Sequence, residues 1–173
     1  MLQEHAKILR AIQCSGEIVG RKKLQKMIYI AKKLHFPFEE KFEFHFYGPY
    51  SEELTLQLEE LINMGFITEI KENKGNYFQY RYRLTETGEE FVREFARDVE
   101  NPVLNDVIKN MNEKTPRFLE LVSTVLYFEK LPKDQLVNKI FQVKSKQRYT
   151  EEEIDDALKY IAILRKKTEK IAN

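Results

Sequence analysis

Met64-Gly65-Phe66-Ile67 and Arg83-Leu84-Thr85-Glu86-Thr87-Gly88 bracket the stretch that decides the fold. From Phe66 to Ile70 and from Tyr77 to Leu84 the chain reads as two strands, rich in β-branched and aromatic residues. The turn-forming run Lys71-Glu72-Asn73-Lys74-Gly75-Asn76 joins them as a hairpin. Alternation along the second strand puts Phe78, Tyr80, Tyr82 and Leu84 on one face, and Tyr77, Gln79, Arg81 and Arg83 on the other. Beyond the hairpin, Thr85 or Thr87 caps a helix carrying Phe91, Val92, Phe95, Ala96 and Val99. The Thr87/Glu90 spacing fits a capping box.

Towards the N-terminus, residues 2–13 read as a helix, with Leu2, Ala6, Leu9 and Gln13 on one stripe beside His5, Ile8 and Ile12. Ser15-Gly16 ends it. A second helix runs from near Gly20 to Leu34, its apolar positions Leu24, Met27, Ile28, Ala31 and Leu34 following the helical spacing. That spacing places Lys22, Lys26 and Lys33 on the opposite, solvent-facing side. Phe36-Pro37-Phe38 closes this helix. Phe42-Glu43-Phe44-His45-Phe46-Tyr47 alternates as a short strand, and Gly48-Pro49 is expected to turn the chain. Ser51 then caps a third helix with Glu52 and Glu53 in its first turn, Leu54, Leu58, Leu61 and Ile62 as its stripe, and Gly65 as its stop.

After residue 100 every signal is helical. Asn101-Pro102 and Thr115-Pro116 each pair a cap with a proline at the first helical position. Phe118, Leu119, Leu121, Val122, Val125, Leu126 and Phe128 make the second of these helices apolar around much of its circumference, which places it at the centre of the C-terminal half. A shorter helix spans residues near 133–143. Thr150 and Glu153 form a capping box for the last helix, whose stripe is Ile154, Ala157, Leu158, Ile161 and Leu164. That stripe can be buried inside the protomer or across a two-fold axis, and a homodimer through the C-terminal helices is the expectation.

Helix, helix, short strand, helix, hairpin, helix is the order of a winged helix. The expected fold is therefore mainly α with a small β-hairpin: a winged helix-turn-helix domain over residues 1–100, and a C-terminal helical subdomain over 101–173 packed on it. The Met64–Ile67 step and the Leu84-Thr85-x-x-Gly88 closure resemble the wing region of bacterial winged-helix regulators, a likeness that implies DNA binding and transcription regulation. Lys23-Leu24-Gln25-Lys26-Met27-Ile28-Tyr29-Ile30-Ala31 and Phe46-Tyr47-Gly48-Pro49-Tyr50 are similar to two steps of the Panacea antitoxin domain. This second likeness covers roughly residues 22–54, and Tyr50 stands where that domain has an aliphatic residue. Over its whole length the chain resembles the YwgA-like family of small bacterial proteins.

Composition narrows the function further. The 173 residues carry 29 Lys+Arg against 28 Asp+Glu, a net charge of +1, so nucleic-acid binding would have to come from local patches. One Cys and three scattered His offer neither a disulfide framework nor metal-ligand spacing. No apolar run suits a membrane span, and the first residues lack the pattern of an export signal, which points to the cytoplasm. No phosphate loop, nucleophile elbow or metal motif is present, so the chain reads as non-enzymatic and without cofactors.

Two partner classes follow. Arg21, Lys22, Lys26 and Lys33 on the second helix, with Lys71, Lys74, Arg81 and Arg83 on the wing, are candidates for contact with DNA phosphates. They are equally candidates for a solvated face, and Arg81 for pairing with Glu69 across the hairpin. The third helix, which would normally read the major groove, is acidic instead, with Glu52, Glu53, Glu59 and Glu60. The leading expectation is therefore a winged-helix regulator that binds nucleic acid through the second helix and the wing rather than the third helix. The acidity motivates the alternative, a protein partner in the manner of an antitoxin-like adaptor, engaging Tyr47, Gly48, Pro49 and Tyr50. A last basic patch, Lys139, Lys144, Lys146 and Arg148, precedes an acidic first turn and is a further candidate for an acidic partner.

Overall fold

The computed structural model describes residues 2–97 and 101–172; Val99, expected on the fourth helix, lies outside them. Its elements in order are α1 (Leu2–Ser15), β1 (Ile18–Val19), α2 (Arg21–Lys33), β2 (Glu43–His45), β3 (Gly48–Tyr50), α3 (Glu52–Asn63), β4 (Ile67–Asn73), β5 (Phe78–Leu84), α4 (Glu86–Phe95), α5 (Pro102–Asn112), α6 (Pro116–Tyr127), α7 (Lys133–Val143) and α8 (Glu151–Ala172). The chain is mainly helical, with two small antiparallel sheets.

Helix α2 is the element around which the others are arranged. Every residue from Lys23 to Ala31 is buried, because α5, α6, β1 and β3 all pack on it. A helix covered on all sides has no solvent face for its polar residues. This corrects the expectation for Lys26, which is only 2% exposed.

The larger sheet has the strand order β1-β5-β4, with Ile67 opposite Leu84, Ile70 opposite Arg81, and Ile18 opposite Tyr82. Tyr82 is buried, as the alternation requires, while Phe78 is exposed because the hairpin runs out beyond the body of the protein. Strand β1 has two residues and too little sequence to announce itself; the pairing continues through Gly20, whose amide donates to the Tyr80 carbonyl at 2.7 Å.

Three local expectations change. The strand expected over 42–47 folds back on its own continuation, so Gly48-Pro49 belongs to β3, and Phe46-Tyr47 form the turn. Gly48 has φ +90, a conformation costly for any residue with a Cβ. Pro49 lies in a two-stranded ribbon, where a missing amide is tolerated. Thr85, not Thr87, caps α4: its Oγ1 accepts from the Gly88 amide at 3.0 Å, and Thr87 is already inside the helix. Gly88 is required there, since a Cβ would stand 2.1 Å from the Phe66 carbonyl oxygen.

The caps of the C-terminal helices form as their sequences predict. Asn101 accepts from the amides of Val103 and Leu104, Thr115 accepts from that of Phe118, and Thr150 and Glu153 exchange reciprocal bonds at 3.1 Å. Helix α6 lies between α2 and α8 and is buried from Leu121 to Leu126. The α8 residues Ile154, Ala157, Ile161 and Leu164 are buried against the same chain and Leu158 is half-buried beside them, so most of the stripe considered for a two-fold contact is core. Ile163 remains 54% exposed beside it.

Candidate functional site

All eight cations expected to meet phosphate have partners inside the chain. Arg21 grips both Glu69 oxygens at 3.1 Å, donates to the Tyr82 hydroxyl at 3.0 Å, and stacks on the Tyr80 ring at 3.9 Å. The Lys22 ammonium sits 3.2 Å from the centre of the Tyr47 ring. Lys33 stands 3.9 Å from Glu129, and Lys26 donates to the Pro49 carbonyl at 2.6 Å. On the β4–β5 hairpin, Lys71 covers the Phe78 ring at 4.1 Å and Lys74 meets Glu72 at 3.0 Å. Arg81 bridges Glu72 and Glu17 rather than the expected Glu69, and Arg83 reaches Glu17 at 3.2 Å.

The remaining α2 lysines are used in the same way. Lys23 donates to the Asn112 carbonyl at the end of α5, and Lys32 to the Glu40 carbonyl. Helix α2 therefore holds its neighbours through cations that end on carbonyls, carboxylates or rings. Long stems let buried lysines carry their ammonium to such acceptors.

Two buried ammoniums converge under the β2–β3 hairpin. Lys144, at the end of α7 and 1% exposed, donates to the Phe46 carbonyl at 2.9 Å and to Glu120 Oε1 at 3.0 Å. Its burial removes it from the expected basic loop. Lys26 supports the same hairpin from α2, through Pro49. Burial pushes the Lys26 ammonium down to about 8; Glu120 opposes the change, and Lys144 and Lys22 add to it. Lys144, Glu120 and Lys26 lie far apart in sequence, and no local pattern announced their meeting.

Beside this cluster lies a cleft of about 290 Å³ between α2, α3, the hairpin and the sheet. Lys22, Lys26, Tyr47, Tyr50, Leu58 and Ile62 line it, together with Gln25, Thr55, Glu59 and the Arg21–Glu69–Tyr82 network. Gln25 fixes the register of its walls, donating to the Ser51 carbonyl and accepting from the Ser51 amide, both at 2.9 Å. Of the four residues expected to engage a partner, Gly48 and Pro49 are buried, Tyr50 is half-buried, and Tyr47 is 48% exposed beside Phe46 at 63%.

The other candidates stay apart. His5 is buried against Glu60 at 2.7 Å, His45 stacks on Tyr50, and His35 occupies a tight turn at φ 71. Burial pushes the half-buried Cys14 thiol up, the wrong direction for a nucleophile. Among the described residues, no group of three His, Cys, Asp or Glu side chains is placed to hold a metal, and no helix is long and apolar enough to cross a membrane.

Fold and cleft together define a mainly helical protein in which one buried basic helix joins a three-stranded sheet to a C-terminal helical layer. No protein-family model matches the chain. It is 59% identical over 165 residues to the uncharacterized protein YwgA of Bacillus subtilis (strain 168), covering 95% of this chain and 98% of that protein. The chain belongs to the YwgA family.

Proposed function

We propose that this protein is a non-enzymatic protein-interaction module, an antitoxin-like adaptor whose partner docks over the α2–α3 cleft and the tip of the β2–β3 hairpin. The observation that carries this reading is the internal use of α2's cations. Arg21, Lys22, Lys23, Lys26, Lys32 and Lys33 each end on an acceptor or ring within the chain. Helix α3 beside them exposes Glu52, Glu53, Glu59 and Glu60, which repel a phosphate backbone. The exposed pair Phe46 and Tyr47 is of the kind that anchors protein interfaces.

Affinity purification from the native host tests the reading when followed by reconstitution with the purified partner. A stoichiometric protein should bind the wild-type chain. The Phe46→Ala/Tyr47→Ala variant should lose it while melting at the wild-type temperature. Stoichiometric nucleic acid in place of protein would overturn the proposal.

The strand order favours a second reading, a winged-helix transcription regulator. With β1 between α1 and α2, the β4–β5 hairpin after α3 and the order β1-β5-β4, the sheet supports a winged-helix reading in which β4–β5 is the wing. DNA would meet Lys71, Lys74 and Arg83 at the wing rather than α2. Polarisation titration with mixed-sequence duplex discriminates: this reading requires steep salt dependence, and weaker binding by Lys71→Glu/Lys74→Glu.

A further inference from the structure

The α2–α3 cleft restricts what can enter it. Lys26 forms part of its floor. An ammonium has three N–H donors; the Pro49 carbonyl takes one, and no other described residue accepts from this side chain. Lys22, over the Tyr47 ring, and Lys144, bonded to Glu120, are close enough to weigh on that ammonium, and Glu120 opposes them. With Glu59 on the rim counted, three ammoniums stand against two carboxylates, Glu120 and Glu59, which leaves one positive charge in excess. Arg21 adds nothing to the excess, because Glu69 occupies its fork. The opposite wall is apolar, built from Leu58 and Ile62 with the rings of Tyr47 and Tyr50.

We propose that this cleft receives the C-terminal residue of a partner polypeptide, its carboxylate at Lys22 and Lys26 and its side chain against Leu58 and Ile62. The inference rests on the protein-interaction reading above and specifies what that site recognises. Lysine ammoniums are point charges suited to a single carboxylate. A phosphate is better held by a free guanidinium fork or a run of backbone amides, and the Arg21 fork is occupied. The volume, about 290 Å³, is at the small end for a ligand site and suits a chain end better than a folded surface. Glu59 on the exposed α3 rim disfavours an acidic internal stretch, while a lone terminal carboxylate passes it more easily.

The full-length chain, labelled with ¹⁵N, tests this by NMR titration with N-acetylated tetrapeptide pools randomised at their last two positions. One pool has a free terminal carboxylate, the other a terminal amide, and acetate serves as the small-anion probe. The free pool should shift the Gln25 side-chain amide and the Tyr50 and Thr55 backbone signals. The amidated pool should bind about tenfold more weakly, the weight of one charge-assisted hydrogen bond. Lys22→Gln should show a similar loss with wild-type melting, and Ile62→Ala a smaller loss with a modestly lower melting temperature, since Ile62 also packs on the core; both leave the hairpin's buried support intact. Equal binding of the two pools would overturn the proposal, as would acetate binding as tightly as the free pool. Absence of shifts from either pool would overturn it too. If the host partner still bound through Phe46 and Tyr47 in that case, the adaptor reading would stand without the chain-end site.

Discussion

The two β-hairpins of this chain use similar residues and are held by opposite means. Hairpin β2–β3 is three residues a side and rests on buried ammoniums: Lys26 under the Pro49 carbonyl, and Lys144 under the Phe46 carbonyl and against Glu120. Hairpin β4–β5 is seven residues a side, runs into solvent, and carries its charges on the outside. There Lys74 meets Glu72, Arg83 meets Glu17, and Arg81 bridges both carboxylates. The Lys144 side chain is 0% exposed and that of Arg83 61%. A cation in sequence therefore has no fixed meaning. Its weight depends on whether the fold removes it from water and supplies an acceptor.

The strongest test of this contrast is Lys144→Met. The change removes the partner of Glu120, itself only 16% exposed, and leaves the Phe46 carbonyl without its ammonium donor. Breaking one side of a buried ion pair costs about 3–5 kcal/mol, and urea unfolding should show a loss of that size. Adding Glu120→Gln to the variant should recover part of it. A loss below about 1 kcal/mol would put this hairpin in the same class as the other.

Lys26 sharpens the comparison through pH. Its folded-state pKa lies below that of the unfolded chain, so the unfolded state binds the proton more tightly. The cost of burying the charged form is fully present below about 8, and it is relieved as pH rises from there towards the ordinary lysine value. Compared with Lys26→Met, the wild type should gain roughly 3 kcal/mol between pH 7 and pH 10.5. Parallel stability–pH curves for the two proteins would show that the ammonium is hydrated after all.

Much of the helical layout was legible because its signals are local. A cap and its amide lie within three residues, so Asn101, Thr115 and Thr150 could be read directly. The β4–β5 hairpin was legible for a similar reason, since its two strands adjoin in sequence. Burial on α2 was not legible. The stripe Leu24, Met27, Ile28, Ala31 identifies one buried face, but α5 and α6 come to cover the rest from about 75 to 100 residues away. The cluster of Lys26, Glu120 and Lys144 depends on that same long-range packing.

Glu40 offers a milder test, on the segment that leads from α2 into β2. Its side chain is 1% exposed, and no other described residue donates to either carboxyl oxygen. Burial pushes its pKa up, and the Glu4 and Glu53 carboxylates push the same way. With the folded-state value raised, the wild type holds its full stability at low pH and loses some as pH rises through the unfolded value, near 4.3. Glu40→Gln should therefore be about 1 kcal/mol more stable at pH 7, the scale of one buried polar group left unpaired. The advantage should vanish at pH 3, as paired thermal melts would record.

The smallest effect belongs to the outer hairpin. Arg83→Ala removes an ion pair whose arginine is 61% exposed, and Glu17 keeps Arg81 as a second partner. No carbonyl or carboxylate is left buried and unpaired, so the loss should be about 0.5 kcal/mol or less and should shrink further as salt is raised. A double-mutant cycle with Glu17→Ala should give a coupling of similar size. A coupling above about 2 kcal/mol, unmoved by salt, would mean that Glu17 anchors β1 to β5 as firmly as Lys144 anchors the hairpin above it. The β4–β5 hairpin would then be a braced element of the core, and the division between the two hairpins would fail at its exposed end.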